Sequence, residues 1–276
     1  MGKVKINSKF FANKSIEDML QTYKIGKNNI KHFASNGRIS VNHSLVDLSY
    51  IINQDDNVIL EDIEMNIVPF QMSIEILYED EYIIAINKPA NILVHTDGNT
   101  NETLQNAVYN YLIKHKKNKF CQTVHRLDYE TTGIVLFAKN SLSLAYLAYA
   151  FENREVKKEY VALINGVLNP CEGIINKPLG KDRHSNLQIV YAKGKSAITK
   201  YKTIWYKNGI SKISINIIGG RKHQIRVHLN SVGHPIIGDK LYSLDMHNGL
   251  KLHASKICFI NPETMTMQKI QSKENF

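Results

Sequence analysis

The sequence predicts an α+β fold in which one large mixed, mainly antiparallel sheet follows a small α/β module. Apolar runs of strand length recur along the chain with only a few helical patterns between them, unlike the strict alternation of a doubly wound fold. Lys207, Asn208 and Gly209 lie between two alternating runs, which is the pattern of a β-hairpin and hence of antiparallel pairing. With 276 residues, the chain can bury one sizeable core and a second small unit.

The N-terminal part predicts helices followed by short strands. Ser15 precedes an amphipathic stretch with an acidic first turn, which is typical of a capped helix start. The predicted elements are helices at 16–23 and 28–34, a turn at 36–38 that enters a β-run ending at 42, and strands at 45–48 and 57–60. Periodicity is lost at 63–74, around Pro69, so we predict a module at 1–66 and a larger domain at 67–276.

The larger domain predicts a mixture of strands and helices. The strands are apolar or alternating runs, and the helices show apolar residues at helical spacing or a polar stretch after a glycine turn. The predicted order is strands at 74–77 and 82–86, a helix at 102–116, a strand at 134–138, a helix at 142–153, strands at 159–167, 197–205 and 211–218, a helix at 222–231, and strands at 256–260 and 264–270.

The charge distribution favours a polyanionic partner. Net charge is +10 and the isoelectric point is near 9.3. Residues 1–40 carry eight basic and two acidic side chains, whereas residues 41–90 carry ten acidic side chains against Lys88 alone. Basic residues dominate again in the rest of the chain. A basic module and a basic body separated by an acidic joint suggest two surfaces that meet a polyanion.

Other classes of protein are disfavoured by the composition. No window approaches the roughly 18–20 uninterrupted apolar residues of a membrane span, and the start lacks the apolar core of a signal peptide. The three cysteines are far apart and form no disulfide framework, so we expect a cytoplasmic protein. There are eleven histidines, but His223 and His228 lack the spacing of metal ligands, so we expect no metal site.

The run 125–133, H-R-L-D-Y-E-T-T-G, is the most informative motif in the chain. It places Asp128 beside an arginine and a histidine on a loop that feeds an apolar strand, where a rigid scaffold can present one acid to a ligand. Only six of the 35 basic residues are arginine, and Arg126, Arg221 and Arg226 fall in the two densest polar motifs. Such usage indicates sites that need a planar, bidentate donor.

Five motifs together resemble the RluA family of RNA pseudouridine synthases. They are N-K-P-A-N-I-L-V-H at 87–95, the H-R-L-D run at 125–133, K-K-E-Y-V-A-L-I-N-G at 157–166, G-G-R-K-H-Q-I-R-V-H-L at 219–229 and G-H-P-I-I-G-D-K-L-Y at 233–242. The resemblance covers residues 74–260 and implies the pseudouridine synthase catalytic fold, isomerisation of uridine in RNA, and no cofactor. Residues 9–62 resemble the S-four-like RNA-binding module named after a small-subunit ribosomal protein.

The resemblance implies roles for particular residues. Asp128 would be the catalytic carboxylate, acting as nucleophile or as base, and Tyr160 would lie under the uracil and help to remove its C5 proton. Arg226 would pair with Asp128 through a bidentate contact that keeps the acid ionised. Arg126 would fill the gap left by the flipped-out uridine, and His125 would support the loop. Further residues expected at the RNA are Lys88, Arg221, Lys222 and His223, with Lys27, Lys31 and Arg38 in the module.

Two alternative functions stay open from the sequence alone. The chain could be a non-catalytic RNA-binding or ribosome-assembly protein on the same fold, although such a protein needs no carboxylate facing a polyanion. It could also be a synthase directed at tRNA. Because a module precedes the catalytic domain, we expect ribosomal RNA or a pre-ribosomal particle as the partner, and we expect a monomer that does not bind membranes.

Overall fold

The computed structural model describes residues 2–35, 38–63, 65–115, 119–185, 187–243 and 249–276. The predicted turn at 36–37 and the predicted last residue of the helix at 102–116 lie outside these ranges. The helices are α1 (Ile16–Thr22), α2 (Lys27–Ser35), α3 (Leu104–Lys114), α4 (Ser141–Glu152) and α5 (Gln224–Asn230), with a short 3-10 helix at Ser8–Phe11. Among the described residues, none of these helices is long and apolar enough to cross a membrane.

The strands fall into two main sheets and a small ribbon. They are β1 (Gly2–Ile6), β2 (Ile39–Val41), β3 (Ser44–Leu45), β4 (Val58–Asp62), β5 (Glu75–Glu79), β6 (Ile83–Lys88), β7 (Gln122–Thr123), β8 (Thr132–Ala138), β9 (Lys157–Asn165), β10 (Glu172–Asn176), β11 (Leu179–Lys181), β12 (Gln188–Val190), β13 (Ile198–Lys207), β14 (Ile210–Ile218), β15 (Leu252–Ile260) and β16 (Met267–Gln271). The ribbon is the antiparallel pair β11–β12.

The larger sheet has the strand order β10-β13-β14-β9-β15-β8-β6-β5, with β16 beside β15 and β7 beside β8. Strands β8 and β15 run parallel, and every other described pair in this sheet is antiparallel. This confirms the predicted α+β fold with a large mixed, mainly antiparallel sheet. The chain enters β8 directly from the H-R-L-D loop, so the centre of this sheet carries Asp128.

The predicted hairpin at 207–209 is confirmed. Strands β13 and β14 pair across it, with Lys207 opposite Ile210. Asn208 and Gly209 both have positive φ angles, 51° and 77°. That backbone matches the right-handed twist of paired strands, and it explains why asparagine and glycine occupy the turn.

The N-terminal sheet has the order β1-β4-β2-β3, and α1 packs beside it. The predicted capped start of α1 is confirmed, because the Ser15 hydroxyl accepts the Asp18 amide at 3.0 Å and the Asp18 carboxylate accepts the Ser15 amide at 3.2 Å. Strand β1 has no counterpart among the predicted elements, although its lysines alternate with buried apolar side chains. The predicted strand at 45–48 is shorter than expected, because β3 ends at Leu45.

The two sheets share one continuous hydrophobic core. Tyr23, the residue after α1, stacks on Tyr82, which precedes β6, with ring centroids 6.1 Å apart. The apolar cluster around this contact contains buried residues from both the N-terminal sheet and the strands β6, β8 and β15. The boundary predicted at residue 66 therefore stays a prediction, since apolar packing crosses it.

The buried carboxylate of Asp62 also joins the two parts. Its Oδ2 accepts the backbone amide of Ser141 at the start of α4 at 2.6 Å, and its Oδ1 accepts the amide of Ile63 at 2.9 Å. The guanidinium of Arg38 lies 3.4 Å from the same carboxylate, and Asp62 is 1% exposed. A negative charge at a helix start is favourable, so this acid stabilises α4 as well as Arg38.

We predict that Asp62→Ala lowers the free energy of unfolding by about 2–4 kcal/mol, because it leaves Arg38 and two amides without their acceptor. Urea unfolding of the whole chain measures this. The exposed Asp55 supplies the control, and Asp55→Ala should change stability by less than about 0.5 kcal/mol. Equal stability of the two variants would show that Asp62 does not join the sheets.

Candidate active site

The side chain of Lys88 fixes the loop that carries Asp128 by hydrogen bonds to its backbone. This lysine ends β6 and is 0% exposed. Its Nζ donates to the backbone oxygens of Pro89 at 2.8 Å, Tyr129 at 2.9 Å and Thr131 at 2.9 Å. The prediction that Lys88 contacts RNA phosphate is therefore wrong in this structure, because the ammonium donates to the protein's own loop.

Two opposing effects act on the charge of Lys88. Burial lowers the pKa of the ammonium to about 7, while the negative charge of Asp128 acts in the opposite direction. A charged ammonium has three N–H donors, and three backbone oxygens accept here. This match favours the charged form, so Lys88 places a positive charge beneath the Asp128 loop.

A glycine fixes the end of the same loop. Gly133 has φ +109°, and a Cβ at this position would collide with the backbone of Ala254. This is the point where β8 begins to pair in parallel with β15. Only glycine allows that close approach, which explains the last residue of the H-R-L-D-Y-E-T-T-G run.

Asp128 lines a cavity of about 390 Å³. The wall is formed by the Asp128 loop, by Tyr160 of β9 and by the turn before α5. The predicted site residues at this cavity are His125, Arg126, Asp128, Tyr160, Arg221, Lys222, His223 and Arg226. The structure thus brings together side chains from three motifs that are distant in sequence, and basic side chains outnumber acidic ones around it.

Tyr160 is a buried, protonated phenol beside Asp128. It is 6% exposed, and burial, followed by the negative charge of Asp128, raises the pKa of its hydroxyl above the ordinary value. Strand β9 places Tyr160, Ala162 and Ile164 on the same buried face, as predicted from their spacing. The tyrosine therefore offers an aromatic face and a hydroxyl donor inside the cavity.

Arg226 is bidentate, but its partner is not the predicted one. Its Nε donates to Asp239 Oδ2 at 2.9 Å and its Nη2 to Asp239 Oδ1 at 2.6 Å, while Nη2 also reaches Glu130 at 3.1 Å. The predicted direct pair with Asp128 is therefore wrong. Burial opposes the charge of Arg226, but the hydrogen bonds and charge of Asp239 outweigh burial, so its pKa is raised. Asp128 interacts with the charge of Arg226 electrostatically, at longer range than a hydrogen bond.

Three residues of the site are absent from the sequence-based prediction. Asp239, the fixed partner of Arg226, lies in the G-D-K-L-Y motif directly before the turn at 240–242, a position where an aspartate commonly accepts turn amides. Glu130 lies in the H-R-L-D run itself. Lys158 lines the cavity two residues before Tyr160, and burial lowers the pKa of its ammonium. Its Nζ lies 5.5 Å from the centre of the Phe151 ring.

His125 supports the Asp128 loop from a position in the cavity wall. Its Nε2 accepts the backbone amide of Leu136 at 3.1 Å, and its ring stacks on Phe151 with centroids 4.8 Å apart. Burial, and to a smaller extent the charge of Lys158, lower its pKa to about 3, so the ring is neutral. The predicted support of the loop agrees with these contacts. His125 also lines the cavity, so its predicted contact with RNA stays a prediction.

The remaining basic residues at the cavity differ in how exposed they are and in whether they bond to the protein. Arg126 is exposed and borders both this cavity and a neighbouring one of about 500 Å³. Lys222 is exposed, while Arg221 donates from Nε to the Ser196 backbone oxygen at 3.2 Å. Helix α5 begins at Gln224, two residues later than predicted. Arg221 and Lys222 therefore lie before the helix. Arg126 and Lys222 are thus the cations best placed for a polyanion.

In the N-terminal unit, two of the three predicted RNA-binding residues are exposed. Lys27 and Lys31 lie on the outer face of α2. Arg38 instead turns inward: its Nε donates to the Glu61 backbone oxygen at 2.7 Å, and its guanidinium faces Asp62 and the Phe33 ring. The prediction that Arg38 contacts RNA is wrong, because its donors are used within the protein.

Among the described residues, no group of three or more histidine, cysteine or acidic side chains is placed to hold a metal ion. Cys121, Cys171 and Cys258 are free thiols. The side chains that line the cavity offer two carboxylates, a buried phenol, two histidines and several cations.

Comparisons with known proteins agree with this geometry. The family described as RNA pseudouridylate synthase matches residues 82–231. An uncharacterized RNA pseudouridine synthase, YhcT of Bacillus subtilis, is 36% identical over 251 residues, 87% of this chain and 83% of its own length. The ribosomal large subunit pseudouridine synthase D of Blochmanniella floridana is 32% identical over 277 residues, covering 88% of this chain and 85% of its own.

Solved structures show the same fold. Human RNA pseudouridylate synthase domain containing 1 superposes with a TM-score of 0.62 at 22% identity, over 74% of this chain and 84% of that one. The family match spans the Asp128 loop, β9 and α5, which are the elements that form the cavity. The chain therefore belongs to the RNA pseudouridine synthase family and is an RNA pseudouridine synthase of the RluA type.

Proposed function

We propose that this enzyme converts uridines of large-subunit ribosomal RNA to pseudouridine and that Asp128 is its catalytic carboxylate. The observation that carries the assignment is the position of Asp128 in the cavity beside the buried Tyr160. Asp239 and Glu130 are engaged by Arg226. Glu152 also lines the cavity, at the end of α4, but Asp128 is the acid whose charge acts on Tyr160. Asp128 is thus the acid that a bound nucleotide would meet.

The reaction needs one carboxylate and no redox step. The bond between N1 of uracil and C1′ of ribose breaks, the base rotates, and a bond between C5 and C1′ forms. C5 loses its proton and N1 gains one, so the product is an isomer of the substrate. An ionised Asp128 can attack C1′ or take a ribose proton, and both routes require it to face the sugar. The positive charges of Lys88 and Arg226 lie close enough to interact electrostatically with this carboxylate.

Tyr160 is proposed to hold the uracil from below and to act near C5. Its aromatic face is the surface on which a base stacks. Its hydroxyl is protonated at rest because burial raises its pKa, so the C5 proton can leave through it only if the phenol passes its own proton onward. The adjacent Asp128 is the acceptor that we propose for that transfer.

Arg126 is proposed to take the place of the extruded uridine. A base inside a helix or stacked loop must leave its stack to enter the cavity, at a cost of a few kcal/mol. Arg126 is exposed at the rim, next to the Asp128 loop. Its planar guanidinium can stack in the gap and offset part of that cost.

Ribosomal RNA is proposed as the substrate from two supports. A relative that aligns along 88% of this chain is named a ribosomal large subunit pseudouridine synthase. The N-terminal unit, which we propose to be an S-four-like RNA-binding module, adds the exposed Lys27 and Lys31. A tRNA is the competing substrate that the mapping of pseudouridine must distinguish. A relative from Pasteurella multocida, 35% identical over 71% of this chain, is named a dual-specificity RNA pseudouridine synthase.

We also propose that the enzyme acts in the cytoplasm, as a monomer and away from membranes. Its three cysteines are free thiols, which is the usual state in a reducing compartment. Sedimentation of the purified protein tests the monomer, and a dimer mass would contradict it.

We predict that cells lacking this gene lose pseudouridine at particular positions of large-subunit ribosomal RNA. Wild-type protein and the control Asp55→Asn should restore these positions, while Asp128→Asn should not, because an amide is neither nucleophile nor base. Sequencing-based mapping of pseudouridine in ribosomal and transfer RNA measures the result. Restoration by Asp128→Asn would contradict the catalytic assignment, and losses confined to tRNA would contradict the substrate.

We predict that exchanging Lys27 and Lys31 together for glutamine weakens RNA binding and reduces its salt dependence. Each phosphate that the protein no longer neutralises should lower the slope of log affinity against log salt concentration by about 0.7, hence by about 1.4 for the pair. Affinity for a large-subunit RNA transcript is measured at several salt concentrations. Lys269→Gln, on the exposed side of β16, is the control. An unchanged slope in the double variant would remove α2 from the RNA interface.

A further inference from the structure

His223 lies between Asp128 and Tyr242. Its Nε2 is 3.9 Å from Asp128 Oδ1, and its Nδ1 is 2.8 Å from the Tyr242 hydroxyl. The two rings meet edge to face, with centroids 5.6 Å apart and planes at 81°. Both ring nitrogens of the histidine are thus directed at protein groups, one of them at the proposed catalytic acid.

The hydrogen bonds around Tyr242 favour one tautomer of His223 over the other. The Tyr242 hydroxyl accepts the backbone N–H of Gln188 at 3.0 Å. Its own proton is then free to be donated to His223 Nδ1, which becomes the acceptor. The proton of the neutral ring therefore lies on Nε2, the nitrogen that faces Asp128.

The surroundings of His223 keep the ring neutral at pH 7. Burial is the strongest influence and lowers its pKa, with Arg226 and Lys222 acting in the same direction. Asp128 and Asp239 act the other way, and the net direction is down. A neutral ring can donate to Asp128 without forming a full ion pair, which would reduce the reactivity of the carboxylate.

The backbone also holds the ring in place. His223 has φ 55° and ψ 20°, the left-handed region that a residue with a side chain adopts only when its neighbours require it. It is the residue before α5, so the first turn of that helix fixes its direction. Asp239 holds the other side, because its Oδ1 accepts the amides of Leu241 and Tyr242 at 3.1 and 3.2 Å.

We propose that His223 is a positioning residue for the reaction: through its Nε2–H it orients the attacking oxygen of Asp128, and Tyr242 selects the tautomer that allows this. The inference rests on the proposed function in taking Asp128 as the catalytic acid. A gap of 3.9 Å is longer than a hydrogen bond. Contacts of this kind in a ligand-free site tighten when substrate fills the cavity.

This assignment replaces the phosphate contact that the sequence predicts for His223. The side chain is 10% exposed, and Tyr242 and Asp128 take its two nitrogens. Lys222, the exposed neighbour, is the better phosphate ligand. The two roles differ in what they change: a phosphate contact affects RNA affinity, whereas a positioning contact affects the rate of the bound complex.

The test is the single-turnover rate of tritium release from a large-subunit ribosomal RNA transcript labelled at C5 of uridine, with enzyme in excess. His223→Leu, which has no donor, should lower the rate about 10- to 100-fold, the loss expected for one hydrogen bond to a charged group. Its RNA affinity should stay within about threefold of wild type. His223→Gln, whose side-chain amide reproduces a donor at the same reach, should recover most of the rate.

Tyr242→Phe supplies an independent readout. Without the tyrosine proton, the ring can carry its hydrogen on Nδ1 and present a bare nitrogen to Asp128, so the rate should fall near pH 8. At pH 6 and below, a growing fraction of rings is protonated on both nitrogens, and the deficit relative to wild type should shrink. A structural defect would leave the ratio of the two rates independent of pH.

Three results would overturn the inference: a wild-type rate for His223→Leu, a His223→Gln rate as low as that of His223→Leu, or a Tyr242→Phe deficit that does not change with pH. If His223→Leu does not fold, the pH dependence of Tyr242→Phe decides. Asp128→Asn is assayed in parallel. Activity in that variant would contradict the proposed function itself, whereas its inactivity beside a fully active His223→Leu would contradict the positioning role alone.

Discussion

The site depends on one buried ammonium group. Lys88 donates to three backbone oxygens, those of Pro89, Tyr129 and Thr131, and so ties the end of β6 to the loop that leads into β8. Backbone oxygens that are buried without donors are costly, and a loop with three of them would not keep this path alone. Because the loop is fixed between two strands at the centre of the large sheet, Asp128 has a defined position relative to Tyr160 on β9.

The buried positive charge of Arg226 is paired with carboxylates other than Asp128. Arg226, the most buried guanidinium at the site, is matched by Asp239 and Glu130 rather than by the acid that faces the cavity. A buried cation must be paired, and this pairing leaves Asp128 influenced by positive charge without being bound to it. The same Asp239 holds the turn that carries Tyr242. Asp239 thus fixes the guanidinium of Arg226 and the turn at 240–242. Through Tyr242 in that turn, it also fixes His223 beside Asp128.

Local patterns in the sequence predict much of the fold and the identity of the cavity residues, but not their partners. The capped start of α1, the hairpin at Asn208 and the common face of β9 follow from rules that concern neighbouring residues. Which carboxylate meets Arg226 depends on how α5 packs against a turn after it, and no local pattern contains that distance. Lys88 and Arg38 illustrate the same limit, because a lysine or arginine is expected to be exposed until burial shows which oxygens it satisfies.

The contacts of Lys88 make it the residue that holds the loop of Asp128, the proposed catalytic acid. The sharpest test is the single-turnover rate of pseudouridine formation by Lys88→Met, at a temperature where circular dichroism shows it folded, beside the surface control Lys269→Met. We predict a loss of about 100-fold or more with RNA affinity retained, since a shift of about 1 Å in a catalytic group costs that much, and no loss in the control. A wild-type rate in folded Lys88→Met would contradict this role of the buried ammonium.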